Sequence, residues 1–183
     1  MKANEGDLGA NDVDIRQATR ADDKNIRSLL RSCDLPDDDI GHHLPNFVVA
    51  GHEGRIVGTI GLEVLGSSAL LRSLAVAVPA RGAGLATGLV EVIVTRARRL
   101  DVRELWLLTT TAEGFFANLG FRSVARNEAP PEIRSTREFR VLCPDSAILM
   151  RHRIDPIGPG PVTGTTTTNR SRCNEATGQE NGG

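Results

Sequence analysis

The sequence predicts an α/β fold in which helices flank a central mixed β-sheet. Two β-rich runs, at residues 46–51 and 55–64, are joined by a short polar turn and predict an antiparallel hairpin. A strand, a long helix and a second strand follow within residues 69–109. The composition, 39% hydrophobic and 25% charged, is that of one ordinary globular domain.

The first elements are a strand at residues 13–18 and a helix for which Thr19 is a candidate N-cap. Two aspartates follow Thr19 in the first turn, where the helix dipole favours acidic side chains. Residues 38–44 predict a second short helix that ends before Pro45. The later elements are predicted at residues 69–76 (strand), 84–100 (helix), 104–109 (strand), 112–119 (helix), 121–125 (strand) and 147–153 (strand).

Both ends of the chain contain little that could be buried. Residues 1–12 and 155–183 are therefore predicted to be disordered, and residues 13–154 to form the folded domain. No apolar stretch approaches the roughly 20 residues needed to cross a bilayer, which predicts a cytoplasmic protein without a membrane partner.

The formal net charge of −1 provides no strong field for nucleic acid. The expected partner is a small molecule, with a homodimer left open. Three widely separated cysteines, without a C-x-x-C pair, predict neither a disulfide framework nor a bound metal.

The most informative stretch, residues 74–87, runs from a strand through a glycine-rich turn into a helix. Small residues let a ligand approach the backbone, and the first N–H groups of a helix are unpaired and can bind phosphate. Arg81 adds a positive charge, and no acidic residue occurs between Ala69 and Val90. These features together predict an anion site.

Three other interpretations compete. The glycines can simply form a tight turn with a solvated Arg81. A Walker loop is excluded because no Gly-Lys-Ser or Gly-Lys-Thr follows. The spacing of Gly82, Gly84 and Gly88 approaches a dinucleotide fingerprint, with Asp101 near the expected acid, but five residues separate Val76 from the first glycine.

The run R-G-A-G-L-A at residues 81–86 resembles the acetyl-CoA motif of the GNAT family, Q/R-x-x-G-x-G/A. The run F-F-A-N-L-G-F at residues 115–121 is similar to a later GNAT segment, and residues 13–154 follow the family's order of elements. More narrowly, four runs resemble the GNAT branch associated with arsenic-resistance operons: residues 43–47, 70–76, 108–113 and 142–144.

This resemblance implies the GNAT acyl-CoA N-acyltransferase fold and an acetyl-CoA-dependent N-acetyltransferase in which a small-molecule amine attacks the thioester directly. The pantetheine arm would lie along residues 69–76, hydrogen-bonded to main-chain groups near Leu74 and Val76, with the pyrophosphate on the N–H groups of residues 82–87. The implied cofactor-binding residues are Leu74, Ala75, Val76, Arg81, Gly82, Ala83, Gly84, Leu85, Ala86, Thr87 and Thr109.

The catalytic positions depart from the family pattern. Phe116 stands where many GNATs have a tyrosine acid, and the chain contains no tyrosine. Thr109 replaces a frequent asparagine, and Leu70 replaces an acid that serves as base in some relatives. Glu63 is the candidate base, with a solvent-facing structural role as the alternative. A GNAT-like regulatory module that binds acyl-CoA without catalysis is the alternative function.

Arg72 and Ser73 are the candidate acceptor-binding residues. Strand alternation predicts Arg72 on the face shared by Leu70, Leu74 and Val76. There its guanidinium could hold the carboxylate of an amino-acid-like acceptor, or form a structural ion pair with Glu63. The arsenic-resistance resemblance implies an acceptor with an arsenic or phosphorus oxyacid group. Other polar candidates for the acceptor pocket are His42, His43, Glu128, Glu132, Arg134 and Arg137, while Trp106 is predicted to be core.

Overall fold

The structure is a computed structural model that describes residues 13–155, so the predicted disordered segments, residue 155 apart, lie outside the described residues. One sheet has the strand order β1-β2-β3-β4-β5-β7-β6. The β4–β5 pair is parallel and all other neighbours are antiparallel. The strands are β1 (Asp14–Gln17), β2 (Phe47–His52), β3 (Arg55–Leu65), β4 (Ser68–Val76), β5 (Glu104–Thr109), β6 (Arg122–Val124) and β7 (Ile148–Arg153).

The helices are α1 (Asp23–Ser32), α2 (Ile40–His43), α3 (Leu85–Arg99), α4 (Glu113–Asn118) and α5 (Pro131–Arg134). α2 ends at His43, before Pro45 as predicted, and a 3-10 turn that contains Pro45, Leu44–Asn46, follows it directly. The sequence did not predict α5 or the π-helical turn Glu138–Leu142, both of which lie in a polar stretch. Within residues 13–155, no helix combines the length and apolarity needed to span a membrane.

Helices cover both faces of the sheet. The largest core cluster packs the α3 side chains Leu89 and Ile93 on one face, together with Phe116 of α4. On the other face, α1 packs Ile26 and Leu30 over β2, and α5 packs over the β4–β5 pair. Trp106 of β5 is buried in that second face, as its apolar surroundings predict. The mixed, helix-flanked sheet is therefore confirmed.

A β-bulge in β4 changes which side chains share a face. Thr59 pairs with Ala75 and Gly61 with Arg72, so β4 advances three residues while β3 advances two. Ser73 takes up the extra residue with a φ of 58°. Because an extra residue reverses the alternation, the prediction for Arg72 is wrong. It shares a face with Leu70, whereas Leu74 and Val76 pack into the α3 face.

The parallel strands β4 and β5 stay together for only three residue pairs. Ser68 pairs with Glu104, Ala69 with Leu105 and Leu70 with Trp106. Beyond Leu70, β4 continues along β3 as far as Val76, while β5 continues along β7. The two strands therefore separate in the middle of the sheet, at the residues that precede the glycine-rich loop.

Gly61 is required by packing in this part of the sheet. A Cβ atom at this position would overlap the ring of Phe47, which is fully buried. Gly61→Ala is expected to lower the free energy of unfolding by about 1–3 kcal/mol, measured by urea denaturation. The matched control is Gly114→Ala in α4, where nothing lies within 4 Å of the added atom and better helix propensity predicts a gain of roughly 0.5–1 kcal/mol. Equal effects of the two substitutions would contradict this packing argument.

Candidate active site

The glycine-rich loop ends in a helix N-terminus that is open to solvent. Gly84 is the N-cap of α3 with a φ of 76°, and Gly82 has a φ of 86°. Nothing lies within 4 Å of a Cβ atom at either glycine, so backbone conformation and not packing requires them. The first i→i−4 hydrogen bond runs from the Gly88 N–H to the Gly84 carbonyl. The N–H groups of residues 85–87 therefore precede the helical ladder and can bind an anion.

The side chain of Arg81 folds back from this loop onto the end of β4. Its Nε donates a hydrogen bond of 2.9 Å to the Val76 carbonyl, and a terminal nitrogen lies 3.6 Å from the Cys33 sulfur. The predicted positive charge thus lies between α1 and the glycine-rich loop, where it occupies one main-chain acceptor of β4.

Beyond Leu70, no strand within residues 13–155 pairs with the edge of β4 that faces away from β3, and Arg81 bonds to the Val76 carbonyl at its end. Ala75 pairs with Thr59, and the Ala77 N–H donates to the Val57 carbonyl, so the main chain of both residues faces β3. By alternation, the main-chain groups of Leu74 and Val76 face the gap between β4 and β5. An extended ligand can hydrogen-bond to this edge as an additional strand would.

Thr109 is the last residue of β5, and Phe116 lies in α4, the next helix along the chain. The Thr109 hydroxyl accepts a hydrogen bond of 3.0 Å from the Ala112 N–H, so it already stabilises the turn that begins α4. Phe116 is buried and packs edge to face against Phe115 and Phe121. The residue at the usual tyrosine position is therefore part of the core, and the role of Thr109 in cofactor binding stays a prediction.

Arg72 lies at the separation point of β4 and β5, and its side chain is 1% exposed. Its two terminal nitrogens bond to the two oxygens of Asp39 at 2.8 and 2.6 Å. Glu138 lies at 3.0 Å and Glu63 at 3.5 Å. The ion pair with Glu63 is thus present, and an acceptor carboxylate would have to displace one of three resident carboxylates. Direct capture of that carboxylate by Arg72 stays a prediction, as does a contact from Ser73.

Three carboxylates share this one guanidinium, and the pKa values of two of them, Asp39 and Glu138, shift in opposite directions. Burial works to raise the pKa of Asp39, but its hydrogen bonds and ion pair with Arg72 outweigh burial and lower it. Burial raises the pKa of Glu138, and Arg72 offsets this only in part because Asp39 and Glu63 repel a third charge. Burial, followed by the Glu138 carboxylate, raises the pKa of the Cys143 thiol to about 11.

Glu63 is not the solvent-facing residue of the alternative interpretation, since its side chain is 14% exposed. One of its oxygens lies 3.8 Å from Nε2 of His43. Burial lowers the pKa of His43 by more than the Glu63 charge raises it, and Arg72 lowers it further. The structure therefore brings together Arg72, Glu63 and His43 from three elements.

The other predicted polar residues contact neighbours outside this cluster. Glu128 accepts a hydrogen bond from the Ala125 N–H, Glu132 accepts one from the Ser68 hydroxyl, and exposed Arg137 lies 3.7 Å from Asp38. His42 and Arg134 are exposed. The sequence analysis missed Asp39 and Glu138 as site residues, because they are 99 positions apart and no spacing rule joins them. Among residues 13–155, no group of three His, Cys, Asp or Glu side chains is arranged to hold a metal ion.

Because three carboxylates surround one guanidinium, the stability of the protein should depend on the protonation of Glu138. The pKa of Glu138 is higher in the folded protein than in the unfolded chain, so the folded state binds the proton more tightly. The stability of the protein therefore falls as the pH rises from the ordinary pKa of Glu to the raised pKa of Glu138. Glu138→Gln removes that loss. We expect the variant to be more stable than the wild type at pH 7, by roughly 0.5–1.5 kcal/mol. The difference should vanish below about pH 4, where Glu is protonated in both states.

Urea denaturation at pH 4 and pH 7 measures this effect. Glu91→Gln, at an exposed position of α3, is the matched control and should stay within about 0.5 kcal/mol of the wild type at both pH values. A Glu138→Gln protein that is less stable at pH 7 would show that the ion pair with Arg72 outweighs the cost of burial.

Comparison with known proteins shows which domain this chain is similar to. Residues 43–123 match the family model described as an acetyltransferase (GNAT) domain. An amino-acid acetyltransferase of Neisseria meningitidis is 26% identical over 148 residues, covering 76% of this chain and 34% of the relative. This chain thus spans about a third of the length of that relative.

Solved structures share the fold. The N-acetylglutamate synthase of Neisseria gonorrhoeae, complexed with coenzyme A and N-acetyl-glutamate, has a TM-score of 0.69 at 23% identity, over 78% of this chain and 35% of that one. A GNAT-family acetyltransferase of Staphylococcus aureus has a TM-score of 0.65 at 19% identity, over 78% of this chain and 99% of that one. The chain therefore has the mixed, helix-flanked sheet of these acetyltransferase structures, and residues 43–123 are similar to a GNAT acetyltransferase domain.

Proposed function

We propose that this chain is an acetyl-CoA-dependent N-acetyltransferase that acetylates the amine of a small, amino-acid-like acceptor. The observation that carries this proposal is that three features of the structure adjoin one another in a row. The open N-terminus of α3 leads to the free edge of β4, and that edge leads to the charged cluster around Arg72. This order matches the pyrophosphate, the pantetheine arm and the reacting thioester of acetyl-CoA.

The proposed path of the donor assigns a role to each part of the site. The N–H groups of residues 85–87 hold the pyrophosphate, and the main chain of Leu74 and Val76 holds the pantetheine arm in the gap. The thioester then reaches the point where β4 and β5 separate, beside Arg72. The acceptor approaches from the face of α1, α2 and α5, which carries His43 and Glu63.

The reaction needs a neutral amine, which attacks the thioester carbonyl and displaces the CoA thiolate. A thiol has a pKa of about 8.5, so the thiolate leaves without a dedicated acid near neutral pH. This property makes catalysis compatible with the absence of tyrosine from the sequence and with the buried Phe116.

The acceptor class is inferred from two sources. The curated relatives are amino-acid acetyltransferases, which supports an α-amine as the nucleophile. The runs that resemble the arsenic-resistance branch favour amino acids bearing an arsenic or phosphorus oxyacid group, whose charged amine would be removed by acetylation. We propose this second, narrower class as the acceptor to be tested first.

A second function remains as an alternative, because Phe116 provides no phenol where many GNATs have one. In this alternative, the domain binds acyl-CoA as a regulatory ligand without transfer. Cofactor binding is common to both functions, and only turnover separates them.

Binding of the donor is tested by thermal unfolding. Acetyl-CoA at 100 times its Kd should stabilise the wild type by about 2.7 kcal/mol, and Gly84→Asp should abolish the shift by placing a negative side chain at the phosphate site. The control Gly88→Ala lies one turn further along α3, where the added atom meets only Ile15 at 3.8 Å. It should keep the full shift. Stabilisation by NADPH in place of acetyl-CoA would support the dinucleotide interpretation.

Turnover is tested by the release of free CoA with a panel of acceptors. We expect wild-type activity with amino acids that have a free α-amine, including those with an arsenic or phosphorus oxyacid group. Matched amines without the carboxylate should have a kcat/KM at least tenfold lower. Full stabilisation by acetyl-CoA without release of CoA for any acceptor would favour the regulatory alternative.

A further inference from the structure

We propose that His43 takes the proton from the acceptor amine and that Glu63 is a positioning residue that orients the His43 imidazole. This inference rests on the proposed function. It differs from the sequence-based assignment, in which Glu63 itself is the base.

The position of His43 suits a group that must reach a substrate. It ends α2 on the face of the sheet that carries Arg72, and its side chain is 25% exposed. Glu63 and Arg72 are more deeply buried, at 14% and 1%. The imidazole is therefore the most accessible of these three side chains, and an acceptor arriving over Arg72 meets it before it meets the Glu63 carboxylate.

The position of Glu63 suits an orienting group. Its Oε2 lies 3.5 Å from a terminal nitrogen of Arg72 and 3.8 Å from Nε2 of His43, so it stands between a permanent cation and the imidazole. This oxygen is buried and accepts no hydrogen bond from residues 13–155. A carboxylate in this place can fix one ring nitrogen and stabilise an imidazolium, and a carboxylate is in general a weaker base toward an amine than imidazole is.

The groups around His43 keep its imidazole neutral near physiological pH. Burial lowers its pKa, Glu63 of β3 raises it, Arg72 of β4 lowers it, and within and beside α2, Asp39 raises it and His42 lowers it. The net direction is downward. A neutral imidazole has a ring nitrogen free to accept a proton, which a general base requires.

In the proposed step, His43 and the leaving thiolate each take one proton from the acceptor ammonium. The acceptor ammonium gives one proton to His43, and the resulting amine forms a C–N bond with the thioester carbonyl carbon. The C–S bond breaks, and its electron pair leaves on sulfur as the CoA thiolate. The thiolate takes the second amine proton, so the products are the amide and CoA thiol, and His43 returns its proton to solvent.

The test compares His43→Gln with the wild type and with His42→Gln, a control at the exposed neighbouring position. His43→Gln should lower kcat by roughly 10² to 10⁴-fold and remove the acidic limb of the pH profile of kcat/KM. The thermal shift with acetyl-CoA should stay at the wild-type value, which shows that the fold and donor site are intact. His42→Gln should keep kcat and retain the acidic limb, with at most a small move to higher pH because His42 lowers the pKa of His43.

Glu63→Gln separates positioning from proton transfer. Because the Glu63 charge raises the pKa of His43, its removal should move the acidic limb to lower pH without abolishing it, with a smaller loss of kcat than in His43→Gln. Loss of the limb in Glu63→Gln and its retention in His43→Gln would make Glu63 the base and overturn the inference. If the wild type turns over and His43→Gln has the same kcat and pH profile, the inference about His43 is wrong but the proposed function stands. If the wild type does not turn over, the proposed function is wrong as well.

Discussion

The extra residue at Ser73 in β4 is the constraint on which the site depends. Without it, regular alternation would direct Arg72 toward the apolar α3 face, where Leu74 and Val76 now pack. A guanidinium there would be buried without carboxylate partners, at a cost of several kcal/mol. Because the bulge reverses the alternation, one strand supplies both the core contacts beneath α3 and the charged group on the opposite face.

The Arg72 guanidinium also binds carboxylates from three segments that are far apart in the sequence. Asp39 precedes α2, Glu63 lies on β3 and Glu138 begins the π-helical turn, yet all three meet the same guanidinium. Buried ion pairs contribute little net stability, but removal of one partner leaves an uncompensated charge. Clusters of this kind, with perturbed pKa values, occur preferentially at functional sites. The cluster therefore defines where α2 and the 138–142 turn lie relative to the open edge of β4.

The sequence predicts those parts of the structure that local patterns determine. The hairpin, the strand Glu104–Thr109, the long helix and the positive-φ glycines of the glycine-rich loop follow from spacing and turn chemistry over a few residues. The face of Arg72 does not, because one inserted residue is invisible to a rule of alternation. The pairing of Asp39 with Glu138 through Arg72 depends on the tertiary fold, and the comparisons with amino-acid acetyltransferases do not identify the acceptor.

The hydrogen bond from Arg81 to the Val76 carbonyl has a consequence for the energetics of donor binding. A pantetheine amide that takes this carbonyl exchanges one hydrogen bond for another, so its net contribution is small. In the proposed complex, the displaced guanidinium would become available to the phosphates, and this gain would be screened by salt. The same movement takes the guanidinium away from the Cys33 sulfur, 3.6 Å distant. In the proposed complex, binding of the donor at β4 therefore also changes the surroundings of the Cys33 thiol at the end of α1.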